Sequence, residues 1–272
     1  MHQRLCIHPI CFPNVSLEQL ADNWRQLGAP RVGLVSQWVE GDGLAEVRNA
    51  LQAGGHKVET INHTFLPFGQ NLSNDEQTWQ EPRARLNRVI DIARQLGSTS
   101  IYTMTGGHGS LTWEQAADCF AKAIAPCVAH ARAAGVKLLV ECAPFVYADI
   151  HLAHSLRDAV TLAEIADLGV CFDFFASWTE AGLQDTIRRA ASRCHLVQVA
   201  DYVYGDRSIP CRAVPGDGTI PVRRLIEQVL ETGYTGAFDL ELLGPRIDRE
   251  GHLAAVRRSA DYVGDILTSL GT

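Results

Sequence analysis

Eight times along its 272 residues the chain passes through a short β-rich run and then a longer stretch with helical spacing. That alternation constrains the fold more than any other feature, because each helix returns the chain for another parallel strand. The strands are read as Leu5–His8, Arg31–Ser36, Lys57–His63, Ser100–Met104, Val136–Cys142, Gly169–Asp173, His195–Asp201 and Ala237–Leu243. Most are near-continuous apolar runs, the pattern of strands covered on both faces. The first helix opens with Ser16 and Gln19 in capping-box spacing and stops near Gly28. Further helices are expected over Gly43–Ala53, around Glu76–Leu96, Thr112–Ala134, Leu156–Asp167, Thr179–Ser192, Val222–Glu231 and near Glu250–Leu270. Pro126 should kink the helix over Thr112–Ala134 or split it in two.

Eight such units predict an α/β chain folded as one (β/α)8 TIM barrel domain over residues 1–272. An open doubly wound sheet would usually carry a glycine-rich phosphate turn after its first strand, and the segment HPICFPNVS has no glycine. Apolar residues make up 46% of the chain, enough for a sizeable core. A net charge of −7 argues against a nucleic-acid partner, since such proteins present a basic face. No apolar run reaches the roughly 18 residues of a membrane span, and the first residues lack the layout of a signal peptide. The eight cysteines include no CxxC pair and sit mostly in apolar runs, so they read as reduced core residues of a cytoplasmic protein.

In a barrel the chemistry belongs at the C-terminal ends of the strands. Four polar residues interrupt apolar strands there: Glu141 in LLVECAP, Asp173 in VCFDFF, Gln198 in HLVQVAD and Glu241 in FDLELL. They fall on strands 5 to 8, which are adjacent around half the barrel. Burying each costs several kcal/mol, about 2–7, unless it is paired or bound to a metal. Each acid alone could pair with a loop arginine. Three acids converging on one mouth outnumber the nearby cations, such as Arg212 and Arg246, and a divalent ion would relieve their repulsion. Three carboxylates and an amide oxygen are hard donors, which favour Mn²⁺ or Mg²⁺, with Co²⁺ possible, over Zn²⁺.

The segments VECAP, CFDFFASW, VQVADY, RAVPGDGTIP and GAFDLEL, in this order and spacing, resemble the sugar phosphate isomerase/epimerase superfamily of xylose isomerase-like TIM barrels. Its members include ketose 3-epimerases, inosose dehydratase and 3-dehydroshikimate dehydratase. The resemblance implies that Glu141, Asp173, Gln198 and Glu241 hold the metal, and that Glu141 and Glu241 also flank the substrate as a proton-transfer pair. It implies that Arg212 contacts substrate. Two positions depart from the family pattern. Gln198 stands where epimerases usually have a histidine, as it does in the dehydroshikimate dehydratases, and Ala176 replaces the histidine of a common DxxH. Endonuclease IV, a remote relative, needs further histidine ligands that these strand ends do not supply.

Such a site can polarise an α-hydroxy ketone, let a carboxylate take the neighbouring proton, and return it elsewhere through an enediolate. Return of the proton gives epimerisation or isomerisation of a sugar, polyol or related hydroxy ketone; expulsion of a β-leaving group gives a dehydratase or other lyase. A third reading is a sugar-binding barrel without turnover. His8 and His63, at the ends of strands 1 and 3, could bond substrate hydroxyls or be satisfied structural histidines. His108 lies in the glycine loop TGGHGS and could fold over the mouth or simply be solvated. His151 and His154 are expected as surface or cap residues, and His130 as structural. Trp178 belongs to an aromatic group with Phe145, Tyr147, Phe174, Phe175, Tyr202 and Tyr204 in the loops after strands 5 to 7, which suits a ring-bearing or deoxygenated substrate. The partner expected is a small molecule, and a homo-oligomer is expected on the resemblance alone.

Overall fold

In the computed structural model, which describes residues 1–41 and 43–272, the apolar runs form β1 (Leu5–Ile7), β2 (Arg31–Val35), β3 (Lys57–Thr64), β4 (Ser100–Met104), β5 (Lys137–Glu141), β6 (Gly169–Asp173), β7 (Cys194–Val199) and β8 (Ala237–Leu240). Each strand pairs in parallel with the next, and β1 closes the barrel on β8 through Leu5 opposite Phe238, Cys6 opposite Asp239 and Ile7 opposite Leu240. Closure leaves no free strand edge. The architecture is the (β/α)8 TIM barrel that the alternation predicts.

The helices are α1 (Leu17–Leu27), α2 (Ser36–Val39), α3 (Gly43–Gly54), α4 (Gln80–Leu96), α5 (Trp113–Ala134), α6 (Leu156–Ala166), α7 (Phe174–Ser177), α8 (Leu183–Ala190), α9 (Val222–Glu231), α10 (Pro245–Glu250) and α11 (His252–Ser269). The short α2, α7 and α10 lie in the segments that follow β2, β6 and β8. The Ser16–Gln19 capping box forms as expected, with Ser16 Oγ accepting from Gln19 N at 3.2 Å and Gln19 Oε1 from Ser16 N at 2.9 Å. At the other end of α1, Gly28 takes a left-handed φ of 61° that a side chain would disfavour.

Pro126 does not split its helix: α5 runs unbroken for 22 residues. Proline has no N–H to give to the Lys122 carbonyl four residues earlier. Arg83 on α4 replaces it, donating from Nη2 to Lys122 O at 2.9 Å and from Nε to Ala123 O at 2.6 Å. The guanidinium lies 5.1 Å from the centre of the Trp79 ring. A neighbouring helix thus satisfies the carbonyl that the proline leaves free.

The main core lies between the outer faces of the strands and the helices. A second apolar cluster, Cys6, Tyr102, Leu139, Cys171, Leu196 and Ala237, fills the barrel interior. Side chains two apart on a strand share a face. One step up from Leu139, Cys171, Leu196 and Ala237 the interior therefore receives Glu141, Asp173, Gln198 and Asp239, and a second step up from Ala237 lies Glu241. The barrel thus changes from an apolar floor to an acidic mouth within two residues. All eight cysteines are free and seven are buried. Among the described residues no helix is long and apolar enough to cross a membrane.

Candidate metal and acid–base site

Glu141 ends β5, Asp173 ends β6, Gln198 lies in β7, and Glu241 comes one residue after β8, where its N–H still bonds Val199 O at 3.2 Å. All four are buried. One carboxylate oxygen from each of Glu141, Asp173 and Glu241 lies within 4.8 Å of the others. Burial and the charges of Glu241 and Asp173 push the Glu141 carboxyl well above the usual carboxylate range. Burial also raises Asp173 and Glu241, and the Arg212 cation opposes the rise in both.

Arg212 is the cation that enters the cluster. Its Nη1 and Nη2 bond Asp173 Oδ1 and Oδ2 at 3.1 and 2.9 Å, and Nη2 lies 3.0 Å from Glu241 Oε2. The angle of the second contact is poor, so Glu241 Oε2 has charge contact but no hydrogen bond. The guanidinium also lies over the Phe175 ring, 4.6 Å from its centre. Arg246, the other candidate counterion, is spent on Asp206 at 2.6 Å. One positive charge among three carboxylates leaves two negative charges uncompensated. Both amide atoms of the fully enclosed Gln198 lack a partner as well. A divalent cation would offset those two charges, and an amide oxygen without a donor is free to ligate it. The donor set fits such an ion.

Asp201, at the end of the seventh strand read from the sequence, has a structural task. Its carboxylate accepts from the N–H groups of Tyr202, Gly216, Gly218 and Ile220 at 2.7, 2.9, 3.0 and 2.9 Å. Its backbone also pairs with Ala213 at 2.9 and 2.8 Å, next to Arg212. A Cβ on Gly218 would lie 2.3 Å from Tyr202 O and 2.4 Å from Asp201 Oδ1, so only glycine fits there. The PGDG turn, wrapped around one carboxylate, thereby fixes the segment that delivers the guanidinium.

The histidines divide. His8 is buried beneath the carboxylates; its Nδ1 accepts from Ile10 N at 3.2 Å, so Nε2 bears the proton that it donates to Tyr102 Oη. Burial and the Arg212 charge push it down to about 3, hence neutral. His63 is enclosed, bonded through Nδ1 to Ser36 Oγ at 3.0 Å. It pairs in register with Thr103, while its neighbour Asn62 pairs with Tyr102 of the interior, so His63 faces the helices and is not brought to the carboxylates. His108 is exposed and bonds Leu111 O at 3.0 Å from its own loop. Trp178 is half-buried beside Tyr202 and Tyr204, with ring centres 6.3 and 6.1 Å away.

His151 corrects the expectation of a surface or cap residue. It is fully buried, accepts through Nδ1 from Thr105 N at 3.1 Å and donates from Nε2 to Glu141 O at 2.8 Å. It thus pins the backbone of Glu141 to the end of β4. His154 is half-buried and bonds Ala143 O at 3.1 Å, and His130 pairs with Asp91 at the surface at 2.9 Å. Asp239 escaped notice in the sequence, although its spacing from Glu241 puts both on one face. No N–H or O–H donor reaches its carboxylate among the described residues; burial pushes it well above the usual range, and the Cys6 thiol beside it opposes the rise. It lies beneath the site, with Oδ2 4.0 Å from His8 Nε2.

Comparison with known proteins agrees with the barrel fold. A D-psicose 3-epimerase from Clostridium cellulolyticum H10, solved with D-tagatose, superposes with a TM-score of 0.80 at 17% identity, covering 97% of this chain and 99% of that one. The IolI protein, solved with a zinc atom, gives 0.80 at 14% identity over 98% of both chains. A probable 3-DHS dehydratase, AsbF, from Bacillus anthracis gives 0.72 at 14% identity over 95% of this chain and 98% of that one. These likenesses establish the fold. No curated protein sequence matches the chain. The family model described as xylose isomerase-like TIM barrel matches residues 36–263, and the chain belongs to that family.

Proposed function

We propose that this protein is a divalent-metal-dependent isomerase or epimerase that moves a proton next to the carbonyl of a sugar, polyol or related α-hydroxy ketone. The observation that carries the reading is the buried cluster itself, in which three carboxylates meet one cation and an unpartnered amide. Glu141, Asp173, Gln198 and Glu241 would hold the ion, Mn²⁺ or Mg²⁺ by the hardness of the donors. When bound, the ion supplies polarisation of the carbonyl and offsets the negative charge that develops on it.

The chain's own groups do the rest. Glu141 and Glu241 project from strands separated by β6 and β7, so a substrate seated over Asp173 and Gln198 lies between them. One, ionised, takes the proton from the carbon; the other, protonated, returns one to the opposite face or to the neighbouring carbon. Arg212 holds Asp173 with two hydrogen bonds, while its poorly angled contact leaves Glu241 free to exchange protons. Tyr102, fixed by His8, closes the floor and excludes water. Gln198 and Ala176, standing where the family commonly has histidines, favour a second reading, a lyase that expels a β-leaving group from the same carbanion.

Elemental analysis of the purified protein incubated with Mn²⁺ tests the site, and solvent deuterium incorporation into hydroxy ketones tests the chemistry. Metal bound by the wild type and lost in Glu141→Ala/Glu241→Ala, with exchange that Glu241→Gln lowers about 100-fold or more, is the expected result. No metal in the wild type, or full exchange in Glu241→Gln, would overturn the reading.

A further inference from the structure

Phe175, Trp178, Tyr202 and Tyr204 are brought together by α7 and by the segment after β7. Tyr202 lies at the centre, 6.1, 6.3 and 6.2 Å from the Phe175, Trp178 and Tyr204 ring centres. The group forms a shelf of tilted and edge-on rings that begins one side chain from the carboxylates, because the Phe175 ring faces the guanidinium that grips Asp173. Its outer member Tyr204 is 69% exposed, and Phe145, on the loop after β5, is 76% exposed. Exposed aromatic faces beside a buried polar site are unusual unless something flat covers them.

The mouth is poor in free positive charge. Arg212 is held by Asp173 and Glu241, Arg246 by Asp206, and Arg85 by Glu40. The exception is Arg207, exposed and without a carboxylate partner among the described residues, which donates to the Tyr202 hydroxyl at 3.0 Å at the shelf's outer edge. On the far side of the mouth a hollow of about 350 Å³ is lined by Ser36, Gln37, Asn62, Thr64 and Arg85, whose charge is already paired with Glu40, and its hydroxyl and amide groups suit substrate hydroxyls.

We propose that the substrate is an uncharged hydroxy ketone bearing an aromatic or flat ring, which lies on the Phe175–Trp178–Tyr202–Tyr204 shelf while the ketone reaches the carboxylates. The inference rests on the proton-transfer reading for where the ketone sits; the shelf sets which ketone is taken. Ring stacking of this kind supplies affinity without a formal charge.

The test uses the Mn²⁺-loaded full-length protein and titration calorimetry with three probes: 2-hydroxyacetophenone, hydroxyacetone and dihydroxyacetone phosphate. The phenyl ketone should bind about tenfold or more tighter than hydroxyacetone. Trp178→Ala should shrink that ratio to about threefold or less, and so should Tyr204→Ala, whose exposed side chain makes misfolding no escape. Equal binding of the two neutral ketones, tightest binding of the phosphate, or a ratio indifferent to both substitutions would overturn the shelf as a subsite. Deuterium exchange separates the two readings. Ring preference without exchange of any probe would sink proton transfer and keep the shelf, and exchange without ring preference would do the reverse.

Discussion

Replacing Arg212 with methionine removes the one described cation in contact with the cluster, where it meets Asp173 and Glu241. The guanidinium makes two hydrogen bonds to Asp173, at 3.1 and 2.9 Å, and a charge contact to Glu241 at 3.0 Å, all out of water. Deleting one partner of such a buried pair typically costs about 3–5 kcal/mol, because the remaining charge is left unpaired. Methionine keeps much of the stem packed over Phe175, and the carboxyls can take up protons, so the lower end, about 3 kcal/mol, is expected in chelator. A divalent ion at about 100 times its dissociation constant contributes about 2.7 kcal/mol to any protein that binds it only when folded. The variant site is more negative by one charge, so its gain from Mn²⁺ should exceed that of the wild type. Urea unfolding of both proteins, with chelator and with Mn²⁺, reads each quantity. If the variant is as stable as the wild type in chelator, or if Mn²⁺ stabilises the two equally, Arg212 does not act as the counterion of the cluster and the charge argument fails.

Three further outcomes are expected. Asp201→Asn should cost about 2–4 kcal/mol, since an amide cannot accept all four backbone N–H bonds, and amide exchange across 212–220 should quicken; unchanged exchange there would refute its role in fixing the Arg212 segment. His63, held down to about 3 chiefly by burial and then by Arg85, is neutral in the folded state, below its unfolded value near 6.5. Its contribution is therefore complete above about pH 6.5 and is lost as the pH falls toward 3, about 2 kcal/mol by pH 5. His63→Gln should flatten that slope in urea titrations between pH 7 and 5, and an unaltered slope would show that His63 does not set it. Arg83→Met should destabilise by about 1–3 kcal/mol by stripping the Lys122 and Ala123 carbonyls of their donors. Exchange protection around Pro126 should fall with it; a neutral substitution would mean that α5 satisfies the proline gap in another way.

The barrel was legible because its signal is repeated. Most strands are short apolar runs bounded by polar or glycine residues, and eight strand segments with helices between them admit few other closures. The site was legible for the related reason that Glu141, Asp173, Gln198 and Glu241 break those runs where breaking them is costly. What stayed hidden depended on partners distant in the chain. Pro126 reads as a helix breaker until Arg83, about forty residues earlier, is seen to supply its carbonyl's donor. His151 sits among loop residues, and only the fold shows it buried between Thr105 and the backbone of Glu141. His63 reads as a strand-end residue, and its direction follows from a register that puts Asn62, not His63, level with Tyr102.

Asp239 differs from these, since its signal was present in FDLEL: two acids two residues apart on one strand must share a face. The outer acid meets Arg212 and the mouth; the inner one faces the Cys6–Tyr102 floor, where charge has no solvent and no cation. Stacking acids in successive layers disfavours charge on the lower one, and burial raises Asp239 in that direction. On the proposed function the working carboxylates would be those that the chain lifts within reach of a cation, and the layer at which Arg212 enters would mark where the chemistry begins.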